Sequence, residues 1–323
     1  MTAGQKCRAF TVAAACVVFL ASCGSAAAAV QLELKLNKGR TYYQRLQVDQ
    51  QITQNIMGQE QVIGNVIGVG QKLDVLDVDA QGNLRIQYTY TWSRFKQSGP
   101  MGIVDYDSAQ VVTVPGGAEG FAALVGGSYT VRLSPKGDVL DVNGVKELAA
   151  AVSKHVPESM DISSEANPVA FLLSEDGIRE TTEGLLSVYP DGPVDEGDSW
   201  GEKRLTKQGL AMVVESKWTL QKRQAGVATI TSVSSMKSDP SGAPMDTQGM
   251  KMKIDVSGTQ EDTTQVEEAT GLIRHNRSHS LLKGQIGIGT SAEGPFDMMA
   301  IPVAFETTAT VEMSDRKLDT GSK

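Results

Sequence analysis

Cysteine is nearly absent. The 323 residues hold 3 of them, Cys7, Cys16 and Cys23, none beyond position 23. Cys7 and Cys16 lie in a segment read as removed on export, so the mature domain has one cysteine and no disulfide or cysteine-nucleophile chemistry. Long apolar runs are also scarce. Ala9 to Leu20 is the one such stretch, and it has signal-peptide length, too short for a membrane-spanning helix. No block of lysine and arginine occurs, which argues against nucleic acid as a partner. No P-loop and no G-x-G-x-x-G lies in a strand–helix setting. These absences predict no cofactor.

What is present at the front is an export address. Lys6 and Arg8 form a basic start, an apolar stretch follows, and Leu20-Ala21-Ser22-Cys23 closes it. Leu at −3, small residues at −2 and −1, then cysteine is the pattern a lipoprotein signal peptidase reads; the sulfur accepts the diacylglycerol. The reading divides the start into a signal peptide at 1–22 and a lipidated Cys23 with a short linker at 23–30. Its expectation is a lipid-anchored protein of the cell envelope, tied to the membrane through Cys23. Gly24 in place of Asp points to the outer membrane, facing the periplasm, if the source is Gram-negative. The alternative is ordinary cleavage within Ala26–Ala29, giving a secreted or periplasmic soluble protein. Loss of residues 1–22 removes two cations and no acid, taking the formal net charge from −8 to about −10.

Period-2 alternation dominates the rest. Leu84, Ile86, Tyr88, Tyr90 and Trp92 alternate with polar residues. Ile301, Val303, Phe305, Ala309, Val311 and Met313 form a second such face, and Leu32-Leu34-Leu36 and Met250-Met252-Ile254-Val256 repeat the pattern. These are long antiparallel strands with one buried face, of a kind that curls into half-barrels. Turns fall at Met57-Gly58-Gln59, Ala80 to Asn83, Ser134 to Gly137 and Ala269 to Gly271. The middle changes period. Asn143 is expected to cap a helix along Val145, Leu148, Val152 and Val156; Asn167-Pro168 opens another; Ser174 opens a third, closed by Pro190.

Across that middle the pattern repeats. Gly39 to Tyr42 resembles Gly197 to Trp200, Gly82 resembles Gly226, and Gly137 resembles Gly271, in the same order. The expected fold is therefore mainly β with a helical insert (α+β), its long antiparallel strands forming curved, half-barrel-like, duplicated sheets. The divisions are a first β-unit at 31–142, a helical connector at 143–190, a second β-unit at 191–313 and a polar tail at 314–323.

Four signatures together resemble an uncharacterised family of bacterial secreted proteins and lipoproteins. They are Lys38-Gly39-Arg40-Thr41-Tyr42, Ser134-Pro135-Lys136-Gly137, Gly197-Asp198-Ser199-Trp200 and Thr270-Gly271. The resemblance covers roughly residues 31–290 and implies no activity. More distantly, the architecture looks like the LolA/LolB-type lipoprotein carriers, which hold acyl chains in an apolar half-barrel; that likeness is one of fold. Here the helices are central and the β-unit is doubled.

Candidates for chemistry are few. Gly197-Asp198-Ser199-Trp200-Gly201 matches the G-x-S-x-G nucleophile elbow, but a Pro-rich stretch precedes it and a strand follows, where the elbow needs strand, turn and helix. His275 and His279 in one strand sit roughly 13 Å apart, too far to share a metal. His155 lies at a helix end. Asp74, Asp77 and Asp79 lack the glutamate of a calcium loop. The reading assigns no catalytic residue and no metal ligand. The candidate ligand-facing residues are instead Tyr88, Tyr90 and Trp92 on one strand face and Met250 and Met252 on another, since Met adapts to varied apolar partners; the alternative for both faces is ordinary core packing. The functional expectation is a non-enzymatic protein that binds an apolar, lipid-like ligand or an envelope protein. The alternatives are a structural or assembly lipoprotein without a ligand site and, last, a serine hydrolase.

Overall fold

The computed structural model describes residues 28–100, 102–110, 113–157, 167–206, 210–242, 245–247, 250–289 and 300–319. Its elements are β1 (Thr41–Ile56), β2 (Gln59–Val78), β3 (Leu84–Gly99), β4 (Gly102–Asp107), α1 (Glu119–Leu124), β5 (Ser128–Leu133) and β6 (Val139–Asn143). Then come α2 (Val145–Ser153), α3 (Pro168–Leu172), α4 (Glu175–Leu186), β7 (Ser199–Thr206), β8 (Met212–Gln224) and β9 (Val227–Ser238). β10 (Met245–Thr247), β11 (Met250–Glu267), β12 (Ile273–Gly289) and β13 (Ala300–Ser314) complete it. All the strands belong to one 13-stranded sheet ordered β6-β5-β3-β2-β1-β13-β12-β11-β9-β8-β7, with β4 beside β3 and β10 beside β11. Every pairing is antiparallel. The two β-units read in the sequence are therefore halves of a single open, curved sheet. Their seam is β1 against β13, from Tyr43 opposite Ser314 to Gln54 opposite Val303.

The halves repeat one another in register. Tyr42 faces Leu73 across β1–β2, and Trp200 faces Trp218 across β7–β8. Gly39 donates to Val75 O and Gly197 to Leu220 O, at 2.8 and 2.7 Å; Val75 and Leu220 in turn donate to Arg40 O and Asp198 O. A register shift follows each, at Leu76 in β2 and Gln221 in β8. The next hairpins turn through Gly82 and Gly226, and the later ones through Gly137 and Gly271, all with positive φ. A side chain is strained there, which is why both repeats carry glycine.

The buried face of the sheet holds two apolar clusters. The larger gathers the turn ends of both meanders, the segment Leu32-Leu34-Leu36 and the helices. The smaller lies at the other end of the second meander, around Met212, Val214, Val256, Leu282 and Val303. Across β12 and β13 the opposite face is mainly polar: β13 presents Glu306, Thr308, Thr310 and Glu312 beside His279, Arg277 and His275 of β12. A membrane barrel shows lipid an apolar outer band instead. Among the described residues no helix is long and apolar enough to cross a membrane.

The helices follow their capping signals with two departures. The Asn167 and Ser174 side chains cap α3 and α4, accepting from Val169 N and Gly177 N at 3.0 Å each. Asn143, expected to cap α2, instead ends β6 and bonds Asp141; the N-cap is Gly144, at φ 85° and without a side-chain bond. The short α1 lies ahead of the connector and has no side-chain cap to announce it. α4 also packs along the edge strand β6: Glu183 accepts from Val139 N at 3.2 Å, and Arg179 donates to Val139 O. Those bonds occupy part of an edge that would otherwise be free to pair.

Candidate functional site

A cavity lies between the buried face of the first meander and α3–α4. Its volume is about 60 Å³. Leu46, Val69, Leu73 and Ile86 form the sheet side; Phe171, Leu172, Ile178 and Leu185 form the helix side. Tyr88 and Tyr129 stack within it, centroids 5.3 Å apart and planes 2° from parallel, and Tyr90 tilts against Tyr129 at 5.9 Å. The Tyr129, Tyr90 and Tyr189 hydroxyls have partners. Gln71 Nε2 donates to the Tyr129 hydroxyl at 2.9 Å, Tyr90 donates to Leu172 O at 3.3 Å, and Tyr189 donates to Gly271 O at 2.5 Å. Burial pushes the Tyr129 phenol up to about 12, against the opposing pull of Gln71, and burial raises Tyr88, Tyr90 and Tyr189 as well. All four stay neutral. Such walls exclude water and recognise shape and apolar surface; they supply no acid or base.

Tyr88 and Tyr90 thus face the cavity, as alternation predicts. Trp92 does not. Between Gln71–Tyr90 and Gly70–Trp92 the register skips Thr91, and one extra residue turns every later side chain to the other face. Trp92 lies on the far side, 2% exposed, its Nε1 donating to Asp107 Oδ1 at 2.8 Å and its ring under the Arg45 guanidinium at 4.8 Å. There it lies over Gly68 and Gly70 of β2. Met252 is half-buried opposite Ile288 and does not line the cavity. Met250 starts β11, but its side chain lies outside the described residues, as does Cys23 with the whole of 1–27.

The cavity residues that alternation does not reveal are Gln71, Tyr129, Phe171 and Leu172. They come from β2, β5 and α3, and only the tertiary register brings them to Tyr88 and Tyr90.

The other candidates separate. Ser199 begins β7 and continues into that strand, its hydroxyl 2.9 Å from Thr219 Oγ1. β12, with His275 and His279, lies four strands away, roughly 19 Å at the usual spacing. The two histidines face Glu312 and Glu306 instead, at 4.0 and 3.8 Å. His155 Nδ1 lies 3.0 Å from Ala151 O. Asp74 accepts from Thr41, Asp77 pairs with Lys38, and Asp79 closes its turn through Gln81 and Asn83 and pairs with Arg132. Those last bonds, Asn83 first and Arg132 second, lower Asp79 to about 2.

A second, wider recess of about 820 Å³ opens at the turn end, lined by Lys38, Arg40, Arg274 and Arg316, with Glu267 and Asp315. Leu272 and Met313 line both this cleft and the apolar cavity.

Residues 81–273 match a protein family of unknown function, DUF6263. The chain belongs to that family. Its matched segment runs from the β2–β3 turn to the start of β12, so it takes in the cavity's aromatic wall, the connector and most of the second meander. No curated protein matches the sequence. Among solved structures, lipovitellin, from a study of its lipid–protein interactions, aligns with 90% of this chain at 10% identity and a TM-score of 0.48. The alignment spans 26% of lipovitellin's length. An outer membrane channel from Pseudomonas putida F1 aligns with 87% of this chain and 98% of its own at 8% identity, TM-score 0.28. The translocator domain of the autotransporter NalP from Neisseria meningitidis aligns with 86% and 90% at 8% identity, TM-score 0.21. None of these scores is high enough to carry a functional assignment.

Proposed function

We propose that this chain is a non-enzymatic envelope protein, anchored through a lipid on Cys23, that holds an apolar, lipid-like ligand between its sheet and its helical connector. One observation carries the reading. The buried face of the first meander is lined by leucine, isoleucine and tyrosine around a cavity, and its cover is a pair of short helices, α3 and α4. Ligand pockets usually measure about 300–1,000 Å³, and this one is far smaller. Occupation therefore needs α3 and α4 to move away from the sheet, and the ligand replaces Phe171, Leu172 and Ile178 against the tyrosines.

The same small volume favours a second reading, a structural envelope lipoprotein in which the helices are permanent core. Native mass spectrometry of the chain purified without detergent separates the two. The binding reading expects an adduct of lipid mass, lost in Thr181→Phe, which fills the cavity at the cost of one bond within α4. An unliganded mass, and no uptake of the apolar dye N-phenyl-1-naphthylamine, supports the scaffold. Anchoring is tested apart: Cys23→Ser should abolish palmitate labelling and release the protein from membranes.

A further inference from the structure

The cleft at the turn end meets the apolar cavity at Leu272 and Met313, and nothing assigned above uses it. Four cations line it, Lys38, Arg40, Arg274 and Arg316, against Glu267 and Asp315, in a chain whose net charge is −8. Three of the cations have acidic neighbours: Lys38 pairs with Asp77 at 2.7 Å, Arg40 with Asp315 at 3.9 Å, and Arg274 with Glu267. Arg316 is exposed and has no ion-pair partner among the described residues. The cleft's inner wall is apolar, built from Tyr42, Leu272 and Met313. Leu272 is 4% exposed and Met313 is half-buried; an unbranched methionine repacks readily. Cations outside, apolar surface inside and a soft partition between them match a molecule that is charged at one end and apolar at the other.

The chain's path adds a second observation. Arg223, beside the β8–β9 turn, donates to Ala28 O at 2.6 Å, and Lys35 N donates to Thr270 O, on the cleft wall, at 2.8 Å. The segment leading back to Cys23 therefore leaves from the turn end, where the cleft opens. Residues 24–28 reach at most about 17 Å when extended. A lipid on Cys23 would hold this end of the molecule close to the headgroups.

We infer that the ligand is an anionic amphiphile drawn from the membrane, its carboxylate or phosphate head held by Lys38 and Arg316 in the cleft and its chain passing Met313 into the cavity. The inference rests on the proposed apolar site and adds the head group. The test compares dodecanoic acid with dodecanol, equal in chain and different in charge, as displacers of N-phenyl-1-naphthylamine from the full chain. The acid should bind about tenfold more tightly at low ionic strength, the equivalent of one retained charge-assisted hydrogen bond. Salt should shrink that margin. The exposed double variant Lys38→Gln/Arg316→Gln should bring the acid to the alcohol's affinity and leave the alcohol unchanged.

Equal binding of acid and alcohol by the unaltered chain overturns the head-group site and leaves the apolar site standing. Failure of both to displace bound dye, or of the dye to bind, removes the apolar site and this inference with it. Displacement of dodecanoic acid by inorganic phosphate alone, at matched ionic strength, would show an anion site with no part for the chain and would also overturn the proposal.

Discussion

The two meanders have the same backbone near their turns and opposite chemistry one step further in. Counting from the shared register, Tyr88 corresponds to Ser232, Tyr90 to Ser234, Gln71 to Ser216 and Tyr129 to Asp262. In the first meander these positions make the stacked tyrosines under α3 and α4. In the second they make small polar pairs: Ser232 donates to Asp262 at 2.6 Å, and Ser216 and Ser234 lie 2.8 Å apart. One side received residues that need a cover, and the connector supplies it. The other satisfies its inward groups within the sheet. The difference locates the candidate site in the first meander for a physical reason. A duplicated scaffold offers the same concavity twice, and only the aromatic copy gives it an apolar wall under the helices.

The most severe way to break the contrast is to write the second meander's residue into the first. Tyr129→Asp places a carboxylate between Tyr88 and Tyr90, with Gln71 and the Tyr90 hydroxyl as its polar neighbours. The expected cost is several kcal/mol, read as loss of a cooperative thermal transition. Retention of a normal transition would mean that this wall is wetter than described.

Trp92 tests the face assignment with a smaller effect. Trp92→Phe removes the bond to Asp107, which keeps Ala109 N at 2.9 Å. The change should cost about 1–2 kcal/mol in denaturant unfolding and leave apolar-dye affinity unaltered, because the ring is on the face away from the cavity. Tyr90→Phe, on the cavity side, should alter dye affinity.

Gly226 tests the repeat itself. Its φ is +76° and a Cβ there would meet nothing within 4 Å, so Gly226→Ala carries a purely conformational penalty of about 1 kcal/mol. Gly82→Ala, at φ +81° with Pro135 Cγ 3.2 Å from the added carbon, should cost at least as much. Asn at position 226, which tolerates positive φ, should recover most of the loss.

The smallest effect is pH-dependent. Burial raises the Asp262 carboxyl, opposed by the bonds from Ser232 and Gln260. The folded chain therefore keeps that proton to higher pH than the unfolded chain does. Asp262's contribution to stability is full below the ordinary carboxylate range and falls as pH rises through its folded pKa. Asp262→Asn should raise the melting temperature at neutral pH and leave it unchanged in acid below that range. A gain equal at every pH would show that ionisation is not the cause.

These comparisons also show what alternation can and cannot reveal. It finds the strands and the inward placement of Tyr88 and Tyr90, because one buried face and one wet face write themselves into every second residue. The caps of α3 and α4 are local and equally readable in Asn167-Pro168 and Ser174. Alternation misplaces Trp92 because the skip at Thr91 leaves no mark in β3. The mark is across the sheet, where a Cβ on Gly68 would lie 2.5 Å from the Trp92 ring. Gly68 and Gly70, two apart in β2, mark a strand overlain by something large, and they become informative once pairing is known. Tyr129 and Phe171 stayed hidden for the same reason: nothing local says which distant strand or helix a side chain will meet. The joining of the two β-units into one sheet depends on the β1–β13 seam, a pairing between the two ends of the chain that no turn announces.

That seam has a consequence in time. β13 is made after β1 and every strand between them, and Tyr43 cannot meet Ser314 until that stretch is available. Until then one side of a strand of 16 residues has no neighbour. Contacts this distant in sequence form slowly, and an unpaired strand recruits other chains. During synthesis the interval between these two strands is when the molecule is most open to pairing with its own copies. A chaperone that occupies the β1 edge should therefore increase the folded yield more than one that acts on the finished sheet.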